Sequence, residues 1–259
     1  QDLNTLDKNG DSPVYCAVRG KNIEIVTLLI QHGADVNVCK QGNMTPFCYA
    51  TSSEYIEIMR MLIKAGADIR TPYYSYSSYT SPMKEALSTY GSRERNPEVV
   101  EILLDAGAGF ESQIEKEDPP LLIAVRDSKP EIVKLLLDKG APLFITKGLR
   151  DSEKSILDAA AWKNRQVIRD KIDSLFVGKT FTTQDNLRLR NGSGTGAETL
   201  LTLLKGSRVH VVETGSIDTQ ENIQSCWVKV RTEPGAKNRE GKSIKEGTEG
   251  WVFAGFLEE

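Results

Sequence analysis

Few side chains in this 259-residue chain stand in patterns that could do chemistry. Asp7-Lys8-Asn9-Gly10-Asp11 begins as a calcium loop would, with oxygen-bearing side chains at alternate positions. Such a loop also needs glycine where Ser12 stands and glutamate where Val18 stands, so the segment reads as a turn. Gly192-Ser193-Gly194-Thr195-Gly196 is glycine-rich enough to cradle a phosphate, but no Gly-Lys-Ser/Thr follows and no long helix. It reads as a turn between strands. His32 and His210 have no neighbouring nucleophile, and Glu115 and Glu117 lie in a polar loop. Cys16, Cys39, Cys48 and Cys226 lack the spacing of a zinc site. The expectation is no catalytic residue, no metal site and no cofactor.

Aromatic residues are the better candidates, and the chemistry they offer is binding. Tyr73, Tyr74, Tyr76 and Tyr79 alternate with Ser75, Ser77 and Ser78 in one loop. Tyrosine gives a large amphipathic contact at low rotamer-entropy cost and serine gives adaptable hydrogen bonding, so these four tyrosines are expected to hold a partner. The competing reading is a loop folded back on its own helices, with the rings as packing. Trp227, flanked by valine and cysteine, is expected in a core, whereas Trp251 is the candidate for an aromatic ligand groove. The basic residues Lys237, Arg239, Lys242 and Lys245 read as a solvated loop, with an anionic polymer as the alternative ligand.

The elements that position these residues repeat. Ser12-Pro13-Val14-Tyr15-Cys16-Ala17 returns as Thr45-Pro46-Phe47-Cys48-Tyr49-Ala50, and Gly33-Ala34-Asp35 returns as Gly66-Ala67-Asp68. Both shifts are of 33 residues, and a fixed shift means stacked units. Within a unit, the hydroxyl caps a helix, proline follows where its missing N–H costs nothing, and apolar residues recur at helical spacing. Glycine then closes the second helix. Neither helix pair can bury both its faces alone, so neighbours must stack. The Ser81-Pro82 start comes three residues late, which lengthens the tyrosine loop, and a five-residue insertion falls near Ser92 to Asn96. Pro119 stands where a capping hydroxyl should be, which predicts a weaker helix start. The fifth unit, from Ser155, ends in a more polar helix suited to a terminal cap.

Ser-Pro-Val-Tyr-x-Ala with Gly-Ala-Asp-Val-Asn closely resembles the ankyrin repeat over roughly the first two thirds of the chain. The histidine usual in that family is replaced by Tyr15, Cys48, Lys84, Leu122 and Asp158, so its inter-repeat hydrogen bonds must come from elsewhere. The resemblance implies a helical solenoid that binds other proteins. Asp2-Leu3-Asn4 stands 33 residues before Asp35-Val36-Asn37, which suggests the tail of a unit whose helices lie upstream, with Ile23, Val26 or their neighbours partly exposed at the open end.

Beyond Gly178 the period changes to alternation: Asn186–Arg190, Ser207–Val212, Trp227–Arg231 and Gly250–Phe253 read as strands. The order Leu-Arg-Leu-Arg, Trp-Val-Lys-Val, Gly-Trp-Val resembles the bacterial SH3-like domain, although the segments Ile217–Ser225 and Thr232–Glu249 are longer than that family's usual connections. That resemblance implies a small barrel that closes its edges, common in exported and cell-envelope proteins and sometimes a wall-binding module.

The fold expected is therefore a multidomain α + β chain: an ankyrin-repeat solenoid over residues 1–177, then a small all-β SH3-like barrel over 178–259. Leu175, Phe176 and Val177 are expected to pack at the junction. A net charge of −3, with 11 basic and 11 acidic residues after Gly178, gives no nucleic-acid footprint. No apolar run approaches the ~20 residues of a membrane span, and no signal peptide is visible. The function expected is a non-enzymatic scaffold or adaptor, exported to the bacterial periplasm or envelope, that binds another protein or peptide. The alternative is a wall-targeted accessory protein or hydrolase whose SH3-like domain holds peptidoglycan. Cys16 and Cys48 are expected as small buried hydrophobes; in an exported protein a Cys16–Cys48 or Cys39–Cys48 disulfide is the other reading.

Overall fold

A computed structural model of the chain describes residues 2–39, 44–75, 78–88, 95–112, 117–145, 148–153 and 155–259. It divides into two compact units, Gln1–Pro142 and Leu143–Glu259.

The first unit is four helix pairs: α1 (Pro13–Arg19) with α2 (Ile23–Gln31), α3 (Pro46–Ser52) with α4 (Ile56–Lys64), α5 (Pro82–Leu87) with α6 (Pro97–Asp105), and α7 (Pro120–Asp127) with α8 (Pro130–Asp138). Their starts follow the capping chemistry. Ser12, Thr45 and Ser81 accept from the N–H three residues on at 3.1–3.2 Å, each with proline next in sequence. Pro119 offers α7 no side-chain cap. Gly33, Gly66, Gly107 and Gly140 follow the second helices at φ 82–95°, a left-handed backbone that a side chain would strain. First helices stack on first helices and second on second, burying Val14, Phe47, Leu87 and Leu122 along one row and Val26, Leu62, Leu103 and Leu136 along the other. In α2 it is Ile25 and Leu28 that stand exposed, while Val26 is fully buried.

Asparagine does the bridging that the missing histidine would do. Asp35 N–H donates to Asn4 Oδ1 at 2.9 Å and Asp68 N–H to Asn37 Oδ1 at 2.8 Å. The Asn37 amide also donates to Gly66 O at 3.0 Å. Arg70, a further 33 residues along, takes the position of Asn37 and donates to Gly107 O.

The second unit holds the short α9 (Ile156–Ala159), the long α10 (Trp162–Phe176) and a curled, half-barrel sheet. With β1 (Tyr73–Ser75) and β2 (Ser78–Thr80) counted in the first unit, the sheet comprises β3 (Thr180–Thr183), β4 (Leu187–Arg190), β5 (Thr199–Leu203), β6 (Arg208–Gln220), β7 (Ile223–Thr232), β8 (Glu249–Phe253) and β9 (Leu257–Glu258). The strand order is β5-β4-β8-β7-β6-β3-β9, antiparallel throughout. Leu187, Leu189, Val209, Val211, Val228, Val230 and Val252 form its core face.

The division falls between 142 and 143 rather than 177 and 178, because α10 lies against β6. Phe176 sits 5.8 Å from Phe181, Gly178 N–H donates to Val211 O at 2.9 Å, and Thr214 Oγ1 donates to Asp173. The second difference is the β6–β7 hairpin, which runs through residues 217–225 where sequence suggested a loop; Glu221 and Asn222, both left-handed at φ 50° and 65°, make its tight turn.

Candidate binding sites

In the first unit the tyrosine loop is a two-stranded finger, β1 against β2, with Tyr73 opposite Thr80 and Tyr74 opposite Tyr79. Alternation along β1 sends neighbouring tyrosines to opposite faces. Tyr73 is fully buried, so its ring is core packing and gives a partner no surface, a correction to its expected role. Tyr74 and Tyr79 are 55% and 56% exposed and meet edge to face at 5.5 Å. Such a pair holds its own geometry before any partner arrives. Tyr76 lies outside the described residues.

The insertion before α6 carries a residue that sequence reading passed over. Arg95 is buried, donating to Glu85 Oε1 at 3.1 Å, to Ser88 O at 2.9 Å and to Ser52 O at 3.4 Å, with Glu54 at 3.8 Å. Ser52 Oγ donates to Glu85 as well, at 3.2 Å, so two neighbouring units share one ion pair. The only signal in sequence was the insertion itself.

The calcium-like segment is a self-satisfied turn. Asp7 Oδ1 accepts from the N–H groups of Asp11 and Asn9 at 2.9 and 2.8 Å, which holds its carboxyl below the usual range, and Asp11 pairs with Arg19 at 2.6 Å. Cys16 comes within 4.8 Å of both acids and is exposed, contrary to the expectation of a buried thiol. Cys48 and Cys226 are buried, and burial pushes their thiols up to about 11 and about 12.

On the sheet, Trp227 is 2% exposed, the core position expected of it, and it backs a cleft that Trp251 does not line. A cleft of about 360 Å³ is lined by Asn186, Leu187, Arg188 and Arg190 of the β4 side, Gln220 and Glu221 of the hairpin tip, and Trp227, Phe253 and Phe256. Trp227 packs edge to face on Phe253 at 5.8 Å and carries the Arg190 guanidinium at 5.8 Å over its ring. Its indole N–H donates to Asp218 Oδ2 at 3.2 Å. Trp251 is absent from the lining because its ring lies over Gly215, where an added Cβ would come within 2.7 Å of it. The basic loop is held rather than loose: Asn238 Oδ1 accepts from Glu240 and Lys242 N–H at 3.1 and 2.9 Å, and Leu204 N–H donates to Lys237 O at 3.0 Å.

Family models match the chain in three places: ankyrin repeats in three copies over residues 1–72, an ankyrin repeat over 117–147, and a bacterial SH3 domain over 185–258. The chain joins ankyrin repeats to a bacterial SH3 domain. Ankyrin repeats imply protein–protein interaction, and the bacterial SH3 domain implies cell-wall binding. Two solved structures share the fold. One is a predatory endopeptidase from Bdellovibrio bacteriovorus in complex with an immunity protein, with 21% identity and a TM-score of 0.54, covering 66% of this chain and 86% of that one. The other is an ankyrin repeat domain from Acinetobacter baumannii, with 24% identity and a TM-score of 0.52, covering 66% and 84%. None of the curated proteins compared with the chain matches it.

The cleft falls within the SH3 match, whereas the finger, with β1 from Tyr73 and β2 to Thr80, and Arg95 lie between the two ankyrin matches. Among the described residues no helix is long and apolar enough to cross a membrane.

Proposed function

We propose that this is a non-enzymatic scaffold or adaptor of the bacterial cell envelope, taking a protein or peptide partner on its ankyrin repeats and using its SH3 domain as a second binding module. One observation carries the reading: Tyr74 and Tyr79 form an exposed, mutually braced pair on a finger whose inner tyrosine is locked in the core. Hot spots are rich in tyrosine, and a partner that covers both rings pays little to order them.

The test is affinity capture from an envelope fraction with the full chain and with Tyr74→Ala and Tyr79→Ala. A partner held through the finger binds each variant weaker by ~2 kcal/mol or more. Binding unchanged in both variants rejects the finger as the contact. Fractionation of cells making the complete natural protein checks export, and recovery in the cytosol alone rejects the envelope assignment.

The SH3 match favours a second reading, a wall-targeted accessory protein or hydrolase. Retention on purified peptidoglycan that disappears when residues 185–258 are removed supports wall targeting; no retention by the full chain removes it.

A further inference from the structure

Among the described residues the most exposed large apolar side chain is Trp162, at 85%. It is the first residue of α10, the second helix of the last pair. The corresponding first residues of α2, α4, α6 and α8 are Ile23, Ile56, Pro97 and Pro130, and all four are half-buried. The Trp162 indole stacks on no other ring and holds no cation among the described residues. Tryptophan is also only a middling helix former, so this side chain contributes little to the folding of its own unit.

What surrounds the ring is charged, and of one sign. Trp162, Arg165, Gln166 and Arg169 stand at i, i+3, i+4 and i+7, which is one stripe along a helix. All four are exposed, while Asn164, Ile168 and Ile172 are buried on the other side of α10. The stretch from Trp162 to Arg169 holds three basic side chains, Lys163, Arg165 and Arg169, and no acidic one, in a chain whose net charge is −3. Arg165 is held in place: its Nε donates to Ala160 O at 3.2 Å, which turns the guanidinium back toward the turn that carries Trp162. Lys163 and Arg169 make no hydrogen bond or ion pair among the described residues. The first acid further along the helix, Asp170, already accepts from Gln166 Nε2 at 2.7 Å.

We propose that this stripe of α10 docks an acidic segment of a partner protein, with Trp162 as the anchor that an apolar side chain of the partner covers, and Lys163, Arg165 and Arg169 paired with its carboxylates. Tryptophan and arginine lead the side chains that dominate binding energy, and complementary charge around them steers the encounter. Trp162 and Arg169 are separated by two turns, roughly 10 Å along the helix axis, so carboxylates spread over two turns of a partner helix match the cations. A bilayer fits less well, because a helix lying in the interface needs an apolar face and this stripe has a single apolar residue among polar ones. A nucleic-acid strand needs successive rings to stack on, and the stripe offers one. The site shares no residue with the tyrosine finger, so it adds a second docking surface to the adaptor reading and stands or falls apart from Tyr74 and Tyr79.

The experiment selects a random peptide library, displayed on phage, against the full chain after depletion on the full chain carrying Trp162→Ala, which removes ligands of every other surface. The surviving peptides are expected to be rich in Asp and Glu and to carry at least one large apolar residue. A synthetic copy of the most enriched peptide is expected to bind the unchanged chain about tenfold or more tighter than it binds Trp162→Ala or Arg169→Glu. Its affinity falls as salt is raised. Both variants are expected to melt at the temperature of the unchanged chain, since the replaced side chains are exposed; should Trp162→Ala melt lower, Lys163→Glu and Arg169→Glu carry the measurement. No surviving peptide, survivors without an excess of acidic residues, or binding that the charge reversals leave unchanged overturns the proposal. Binding to phosphatidylglycerol vesicles or to a single-stranded oligonucleotide that is tighter than peptide binding and is lost in Trp162→Ala assigns the stripe to a different ligand and overturns it as well.

Discussion

Arg95 donates to Glu85 Oε1 at 3.1 Å, with both side chains almost closed off from water and Ser52 of the preceding unit reaching the same carboxylate. Removing one partner of such a pair leaves the other charged and buried, which costs far more than the pair itself contributes. Arg95→Ala is therefore expected to destabilise by about 3–5 kcal/mol in denaturant unfolding. The double change Arg95→Met with Glu85→Met recovers most of the loss, because no uncompensated charge remains. A loss as large in the double variant as in the single one would contradict the account.

The tyrosines of the finger separate by stability as they do by exposure. Tyr73→Ala opens a cavity in the core and is expected to cost about 3–5 kcal/mol, the range of other buried aromatic truncations. Tyr74→Ala and Tyr79→Ala, which lose an exposed ring pair, are expected within about 1 kcal/mol of the wild type. Thermal unfolding of the three variants measures this directly.

Gly250 sits where β8 crosses β4, and a Cβ there would lie 2.5 Å from Leu189 Cγ and 2.9 Å from Arg190 O. One of those contacts is backbone, which cannot swing aside. Gly250→Ala is expected to push the strands apart and destabilise the SH3 domain by about 1–3 kcal/mol or more. The domain's own melting transition should fall, whereas Gly235→Ala, with no atom within 4 Å, reports only the cost of a left-handed backbone.

The thiols divide in the same way. Burial raises Cys48 to about 11 and Cys226 to about 12, so neither forms the nucleophilic thiolate at neutral pH. In native protein a thiol-specific alkylating reagent should modify Cys16 first and reach Cys48 and Cys226 only on unfolding. A pH effect follows with a definite sign. Their unfolded values lie near ~8.5, below the folded ones, so the unfolded chain loses these protons first. Stability is fully present below pH ~8.5 and declines as pH rises toward the folded values. Replacing both residues by alanine should flatten that decline.

Repetition made the helical part legible: a 33-residue shift, a capping hydroxyl and a closing glycine recur, and each has a local physical cause. What sequence could not assign was which side of a strand faces inward when the strand is three residues long. Tyr73 and Tyr74 are chemically alike, and only the packing of β1 decides between core and surface. Trp227 was legible as core and is buried, but Trp251 was not placed: it too precedes valine on a strand, and its position was decided by Gly215, whose missing side chain admits the ring. The β6–β7 hairpin stayed hidden because its residues, from Glu213 to Gln224, are polar apart from Gly215, Ile217 and Ile223, so the alternation is weak. Arg95 was invisible for another reason: its partners lie 10 and 43 residues back.

The links Asn4 to Asp35, Asn37 to Asp68 and Arg70 to Gly107 each tie one unit to the next and none ties a unit to itself. Fraying at one boundary therefore loosens both units beside it, so the free energy of opening is shared between neighbours rather than held unit by unit. Arg70 is the exception in kind, because a long charged side chain spans the boundary where a short amide does elsewhere. At this one joint, which lies directly before the tyrosine finger, neighbouring loops are tied by a side chain with several rotatable bonds rather than by a short amide.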